Sequence, residues 1–262
     1  MLKHHLTFFL IAFVLVLGGC GSLEKSDPTK GWTPEKLYDE AKSELNSGAY
    51  DKAIKLFESL EARYPFGVFA QQAQMEVAYA YYRQNDQAQA LAAAERFIRL
   101  HPNHPSVDYM YYLRGLANFN DKGNLFNFLS PQDPTERDPK ATRDAFDAFR
   151  QLVERFPESR YADDARDRLK YLVNAMAQYE VHVANYYLRR GIYLAAVNRA
   201  QTVIKNYPDS PSVKEALGIQ VRAYDALGLK DLRDDAKRVY KQNFEAADKA
   251  QGKASKSWWR IW

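Results

Sequence analysis

The sequence lacks most of what marks an enzyme or a disulfide-stapled secreted domain. It holds one cysteine, Cys20, in 262 residues, so no disulfide can form within the chain. Staples are not needed, because a 46% hydrophobic share over this length can bury a sizeable core. Neither sign of charge dominates: 37 Lys and Arg stand against 33 Asp and Glu, interleaved along the chain. That lacks the one-sided basic excess of a nucleic-acid binder. There is no phosphate-cradling glycine loop, no nucleophile elbow and no helical histidine pair around a glutamate. His101 and His104 flank a Pro102–Asn103 turn without an acidic or cysteine partner at ligand spacing. The expectation is a protein that is not an enzyme, with no metal and no cofactor.

Long hydrophobic runs are equally scarce. The longest, Leu6 to Leu17, follows a basic and polar start at Lys3, His4 and His5. It falls short of the roughly 20 apolar residues a membrane-spanning helix needs, and reads as a leader covering residues 1–19. The leader ends in Leu17, Gly18, Gly19 and Cys20, similar to a bacterial lipobox, which makes Cys20 the candidate lipidation site, carrying N-acyl and S-diacylglycerol groups. In the lipoprotein class this resembles, an Asp after the cysteine signals retention in the inner membrane. Gly21 and Ser22 follow instead, so outer-membrane placement is implied. Residues 20–31 read as the lipidated N-terminus and a flexible polar linker.

From Trp32 onward the apolar spacing is helical, with no alternating strand pattern of useful length. An all-α fold is expected. Amphipathic stretches end repeatedly in proline, at Tyr64–Pro65, His101–Pro102, Phe156–Pro157 and Tyr207–Pro208. Proline cannot continue a helix, so each pair marks the end of a helical hairpin. Counting back from Pro65 puts Ala41, Gly48, Ala53 and Phe57 at the small, small, small and large packing positions of a tetratricopeptide unit. The second unit gives Ala78, Tyr81, Ala90 and Phe97, and the fourth Ala184, Tyr187, Gly191, Ala196 and Val203. The third has Gly115, Ala145 and Phe149, with an insert of about 120–139 between its two halves. Gly123, Pro131, Pro134 and Pro139 make that insert an irregular loop, either a binding element or a passive excursion; Asp138 and Pro139 read as the cap and first residue of the next helix. The span Tyr161 to Arg190 reads as one long helix or two stacked ones. A fifth, atypical unit with Ala223, Tyr224, Gly228, Ala236 and Tyr240 caps a solenoid of about five units over residues 32–244.

Aromatics are the positive functional signal, at 18 Tyr and 14 Phe. Adjacent pairs sit on first helices: Tyr81 with Tyr82, Tyr111 with Tyr112, Tyr186 with Tyr187. One of each pair is expected to pack inward and leave its neighbour in the concave groove, near Arg83, Arg114, Arg189 or Arg190. Tyr and Arg are enriched where proteins recognise one another. Residues 245–262 read as a flexible tail, basic and rich in Trp, suited either to a membrane interface or to docking.

The run Tyr64 to Gly67, Ala80 to Tyr82, Phe97 to Pro105, Arg137 to Pro139 and Val197 to Arg199 together resemble the BamD (ComL) family, lipoproteins of the outer-membrane β-barrel assembly (BAM) machinery. The resemblance covers the chain from the lipobox to about Phe244. It implies a tetratricopeptide lipoprotein on the periplasmic face of the outer membrane that binds the periplasmic domains of BamA. It also implies contacts with BamC and BamE and recognition of unfolded outer-membrane proteins. By position, Tyr187, Arg189, Arg190 and Arg199 would face BamA, and Tyr81, Tyr82, Arg83, Tyr111, Tyr112 and Arg114 would line a peptide groove. The rival is a periplasmic adaptor for peptidoglycan, cell-envelope or DNA-uptake machinery, separable by a murein-binding assay.

Overall fold

The computed structural model describes residues 27–119 and 139–257. Cys20, the leader, the insert up to Asp138 and Trp258 to Trp262 lie outside them. Among the described residues there are ten helices and no strand. They are α1 (Pro34–Asn46), α2 (Tyr50–Arg63), α3 (Val68–Gln84), α4 (Gln87–Leu100), α5 (Val107–Asn118), α6 (Pro139–Arg155), α7 (Ala162–Arg189), α8 (Tyr193–Asn206), α9 (Ser212–Ala226) and α10 (Lys230–Ser257). Paired in order they make five hairpins, each packed on its neighbours in the chain.

Local chemistry sets the ends. Thr33 caps α1 by accepting from the Lys36 amide at 3.3 Å, with Pro34 at the first position; Asp86 caps α4 by accepting from the Gln89 amide at 3.1 Å. The turns inside hairpins need a left-handed residue, and Gly48, Gly191 and Gly228 supply it with φ of +84°, +73° and +73°. In the second hairpin Asn85 does this at φ +67°, the one described non-glycine residue with positive φ. The small and large positions read from the sequence close the core: Ala41, Ala53, Phe57, Ala78, Ala90, Phe97, Ala145, Phe149, Ala184, Ala196 and Val203 are all inaccessible to solvent. Gly115 is tightest. A Cβ there would lie 2.4 Å from the Phe149 ring, so only hydrogen lets α5 and α6 approach.

Two expectations change, and one open alternative closes. The span from Tyr161 to Arg190 is one continuous helix: α7, of 28 residues, with Tyr161 and Arg190 as its caps. Its Asp163 and Asp164 sit at the positive N-terminal end and Arg189 at the negative end. The linker expected to be free to residue 31 is fixed from Asp27: Arg63 pairs with the Asp27 carboxylate and donates to Thr29 O and Oγ1, both at 2.7 Å, while Tyr64 Oη donates to Trp32 O at 2.8 Å. Thr29 is buried as a result. Helix α10 runs to Ser257, through the first part of the expected flexible tail, where Ala, Lys and Glu favour helix and no proline interrupts.

Candidate functional site: an aromatic band on the first helices

The first helices of successive hairpins, α1, α3, α5 and the start of α7, carry a continuous polar and aromatic band. Tyr38 Oη on α1 donates to Glu76 on α3 at 3.4 Å, and Lys42 pairs with the same carboxylate. Tyr79 and Tyr82 follow one turn along α3, centroids 6.5 Å apart, with Arg83 donating to Tyr79 Oη at 2.7 Å. On α5, Tyr109 packs against Tyr161 at 5.5 Å and Tyr112 stacks on the same ring at 4.7 Å and 16°. Tyr112 Oη donates to Asp164 at 2.7 Å, and Arg168 donates to that carboxylate at 2.6 Å.

The electrostatics keep the band neutral where it is aromatic. Burial, then the Glu76 carboxylate, pushes the Tyr38 phenol up to about 12, and burial with the Asp164 hydrogen bond does the same for Tyr112. Tyr109 is pushed up further, chiefly by burial. These phenols stay protonated at any physiological pH, with the hydroxyl hydrogens of Tyr38 and Tyr112 held by Glu76 and Asp164. Burial would raise the Asp164 carboxyl, but hydrogen bonds from Arg168 and Tyr112 outweigh it and hold it below the usual range.

The residues expected to line a groove divide between two sides. Tyr82, Arg83 and Tyr112 belong to the band. Tyr81 points instead toward α2, where burial and the carboxylates of Glu58 and Asp51 raise its phenol. Tyr111 is buried against Phe156 with centroids 5.4 Å apart, and accepts from Arg155 at 2.8 Å. Arg114 lies over Tyr111 and donates to Gln151 on α6 at 2.8 Å, in a cleft that Leu91 and Glu95 of α4 also line. Adjacent helical residues are about 100° apart, so neighbouring tyrosines diverge. The spacing that does converge is i,i+3: Tyr79 with Tyr82 and Tyr109 with Tyr112, repeated on successive first helices. That pattern was visible in the sequence, whereas the part played by Tyr38, Tyr161, Asp164 and Arg168 needed the packing of one hairpin on the next.

The C-terminal set is also reorganised. Arg199 on α8 donates to Glu180 on α7 at 3.0 Å, so its charge is partly spent inside the hairpin. Tyr187 is half-buried in the core of that hairpin and meets Tyr186 edge-on at 5.8 Å. Arg190 lies over the exposed Tyr186 ring at 5.4 Å, and Arg189 is exposed at the end of α7. Around them Ile192, Leu194, Leu227, Leu229 and Leu232 are exposed at the two C-terminal hairpin tips. Among the described residues no three His, Cys, Asp or Glu side chains come together as a metal site.

Residues 31–239 match the model of a family described as outer membrane lipoprotein, YfiO. The chain belongs to this family. Relatives named outer membrane protein assembly factor BamD include one from Neisseria meningitidis serogroup A that is 46% identical, over 96% of this chain and 97% of its own length. One from Vibrio cholerae is 39% identical over 92% and 99%, and one from Haemophilus influenzae 30% identical over 89% and 88%. The YfiO match thus spans all five hairpins and stops inside α10. No described helix of this family member is long and apolar enough to cross a membrane.

Proposed function

We propose that this chain is a non-enzymatic scaffold of outer-membrane β-barrel assembly, held at the periplasmic face of the outer membrane by lipid on Cys20. The observation that carries the reading is the near full-length likeness to BamD assembly factors, at 46% identity in the first relative. In this reading the band of Tyr79, Tyr82, Tyr109, Tyr112 and Tyr161 takes extended segments of unfolded outer-membrane proteins. The tyrosine rings can stack on aromatic side chains of such a segment, and the Tyr79 hydroxyl, which accepts from Arg83, keeps its hydrogen for one of the segment's carbonyls, which suits an extended chain without demanding one sequence. The C-terminal hairpins dock on the periplasmic domains of BamA, through the apolar tips with Arg189 and Arg190 at their rim; BamC and BamE are further partners. Arg199 then acts chiefly by holding α8 on α7.

The test is a pull-down of the lipidated chain in mild detergent. Recovery of a barrel protein with its periplasmic domains is the expected result, and consistent failure removes the reading. Replacing Arg190 and Leu194 together should weaken that recovery while leaving the helical signal intact. Palmitate incorporation that disappears in Cys20→Ala is the matching test for the anchor.

A further inference from the structure

Successive hairpins lie side by side, so the links between hairpins fall on one edge of the solenoid and the turns within them on the other. At the N-terminal end of the first edge three large apolar side chains stand in solvent: Phe66 is 91% exposed, Val68 65% and Leu100 56%. Phe66 does not sit on a loose loop. Tyr64, two residues before it, is tied to Trp32, and the amide of Gln71 closes on Gly67 O at 3.3 Å just after it. A rigid link that displays a nearly bare phenylalanine is built for contact.

The N-terminal segment is secured at this same place. Arg63, which grips Asp27 and Thr29, is three residues from Phe66. Only six residues separate Cys20 from Asp27, and the seven steps between them span at most about 25 Å. Lys30 and Arg99, both exposed, adjoin Thr29 and Leu100. We propose that this edge rests on the lipid bilayer itself, with Phe66 and Val68 in the interfacial layer and Lys30 and Arg99 toward anionic headgroups. The inference rests on the lipidation of Cys20 proposed above. The strap at Arg63 sets which edge is held down, and leaves the apolar tips of the last two hairpins on the opposite edge for protein.

Cys20 is the sole cysteine and its thiol is consumed by the lipid, so Pro65→Cys in the full lipidated chain offers a single reactive thiol. Ala62→Cys, on the exposed side of α2, is a second position should the first disturb the link. Either is labelled with an environment-sensitive fluorophore and reconstituted in phosphatidylethanolamine and phosphatidylglycerol vesicles with or without brominated acyl chains. Loss of emission in the brominated vesicles is expected, with none at Leu194→Cys on the far edge, and recovery when Phe66 and Val68 are both changed to serine. Chain that floats with the vesicles while neither N-terminal label is quenched overturns the edge contact and leaves the anchor standing. Chain that does not float removes the anchor and this inference together. Protection of the label only when a barrel protein is added assigns the edge to protein and also overturns the proposal.

Discussion

Replacing Gly115 by alanine should destabilise the third hairpin although alanine is the better helix former. The added Cβ would lie 2.4, 2.6 and 2.9 Å from three carbons of the Phe149 ring. Ordinary contact begins near 3.4 Å, so the ring has to move by about 1 Å. It has little room: Phe149 has no accessible surface, and the rings of Tyr112 and Phe119 sit 6.1 and 6.0 Å from its centroid. Overpacking of this kind costs about 1–3 kcal/mol, and a hemmed ring belongs near the upper end. The helix-propensity gain of about 1 kcal/mol offsets part, leaving a net loss of about 2 kcal/mol. Gly218, in the middle of α9, has nothing within 4 Å of its Cβ position. The same change there should therefore stabilise by about 1 kcal/mol. Urea titration of residues 27–257, followed by helical circular dichroism, measures both. For a domain of this size a loss of about 2 kcal/mol lowers the melting temperature by roughly 4–8 °C. Pairing Gly115→Ala with Phe149→Leu should recover about 1 kcal/mol relative to the sum of the single changes. A Gly115→Ala protein as stable as the parent, or the two glycines responding alike, would refute the packing argument.

The N-terminal strap should be sensitive to acid. Hydrogen bonds from Thr29, then the Arg63 charge, hold the Asp27 carboxyl below its usual value. The stability it adds is thus present above the ordinary carboxylate pKa and lost as pH falls through the lower folded value; proteolysis near residue 30 should quicken there, and at neutral pH in Arg63→Ala. Tyr112 is pushed up to about 12, so its share of stability is complete below the usual tyrosine pKa near 10 and is lost as pH rises through 12. Asp164→Asn should bring its ultraviolet titration earlier, and an unchanged titration would mean that the carboxylate has no part in the shift. In the band, Tyr79→Ala or Tyr112→Ala should weaken binding of an extended, aromatic-ended peptide by about tenfold, the worth of one aromatic contact of about 1.4 kcal/mol. Tyr111→Phe, on the buried side, should leave the affinity unchanged by calorimetry, and a drop equal to that of Tyr112→Ala would contradict the division between the two sides.

Ala41, Ala53 and Phe57 and their counterparts could be located in the sequence because a tetratricopeptide hairpin is a local object. Its two helices are joined by a few residues, and close approach restricts which residue types fit. Gly48, Gly191 and Gly228 were legible for the same reason, since a left-handed turn names its residue. The groove was only half legible. Counting placed the tyrosines on first helices, with one of each adjacent pair packed inward, but which one, and which residues it meets, was not in the count. The direction of a side chain depends on the turn it occupies, so Tyr111 and Arg114 went to α6 while Tyr112 went to Tyr161. Arg199 was found, though not its engagement by Glu180, which sits nineteen residues earlier and across a helical turn.

The sequence alone determined the helical class, the hairpin count, the proline-marked ends and the presence of a single cysteine. These follow from periodicity, backbone chemistry and composition, which act over a few residues. Tertiary structure alone decided that the segment after that cysteine is gripped by Arg63, which stands 36 residues from Asp27. It alone decided that Tyr38, Tyr79 and Tyr109, from three helices, and Tyr161, at the cap of a fourth, form one band. Contacts between residues so far apart depend on how rigid hairpins stack, and the stacking angle is set by the whole interface, which no short stretch of sequence records.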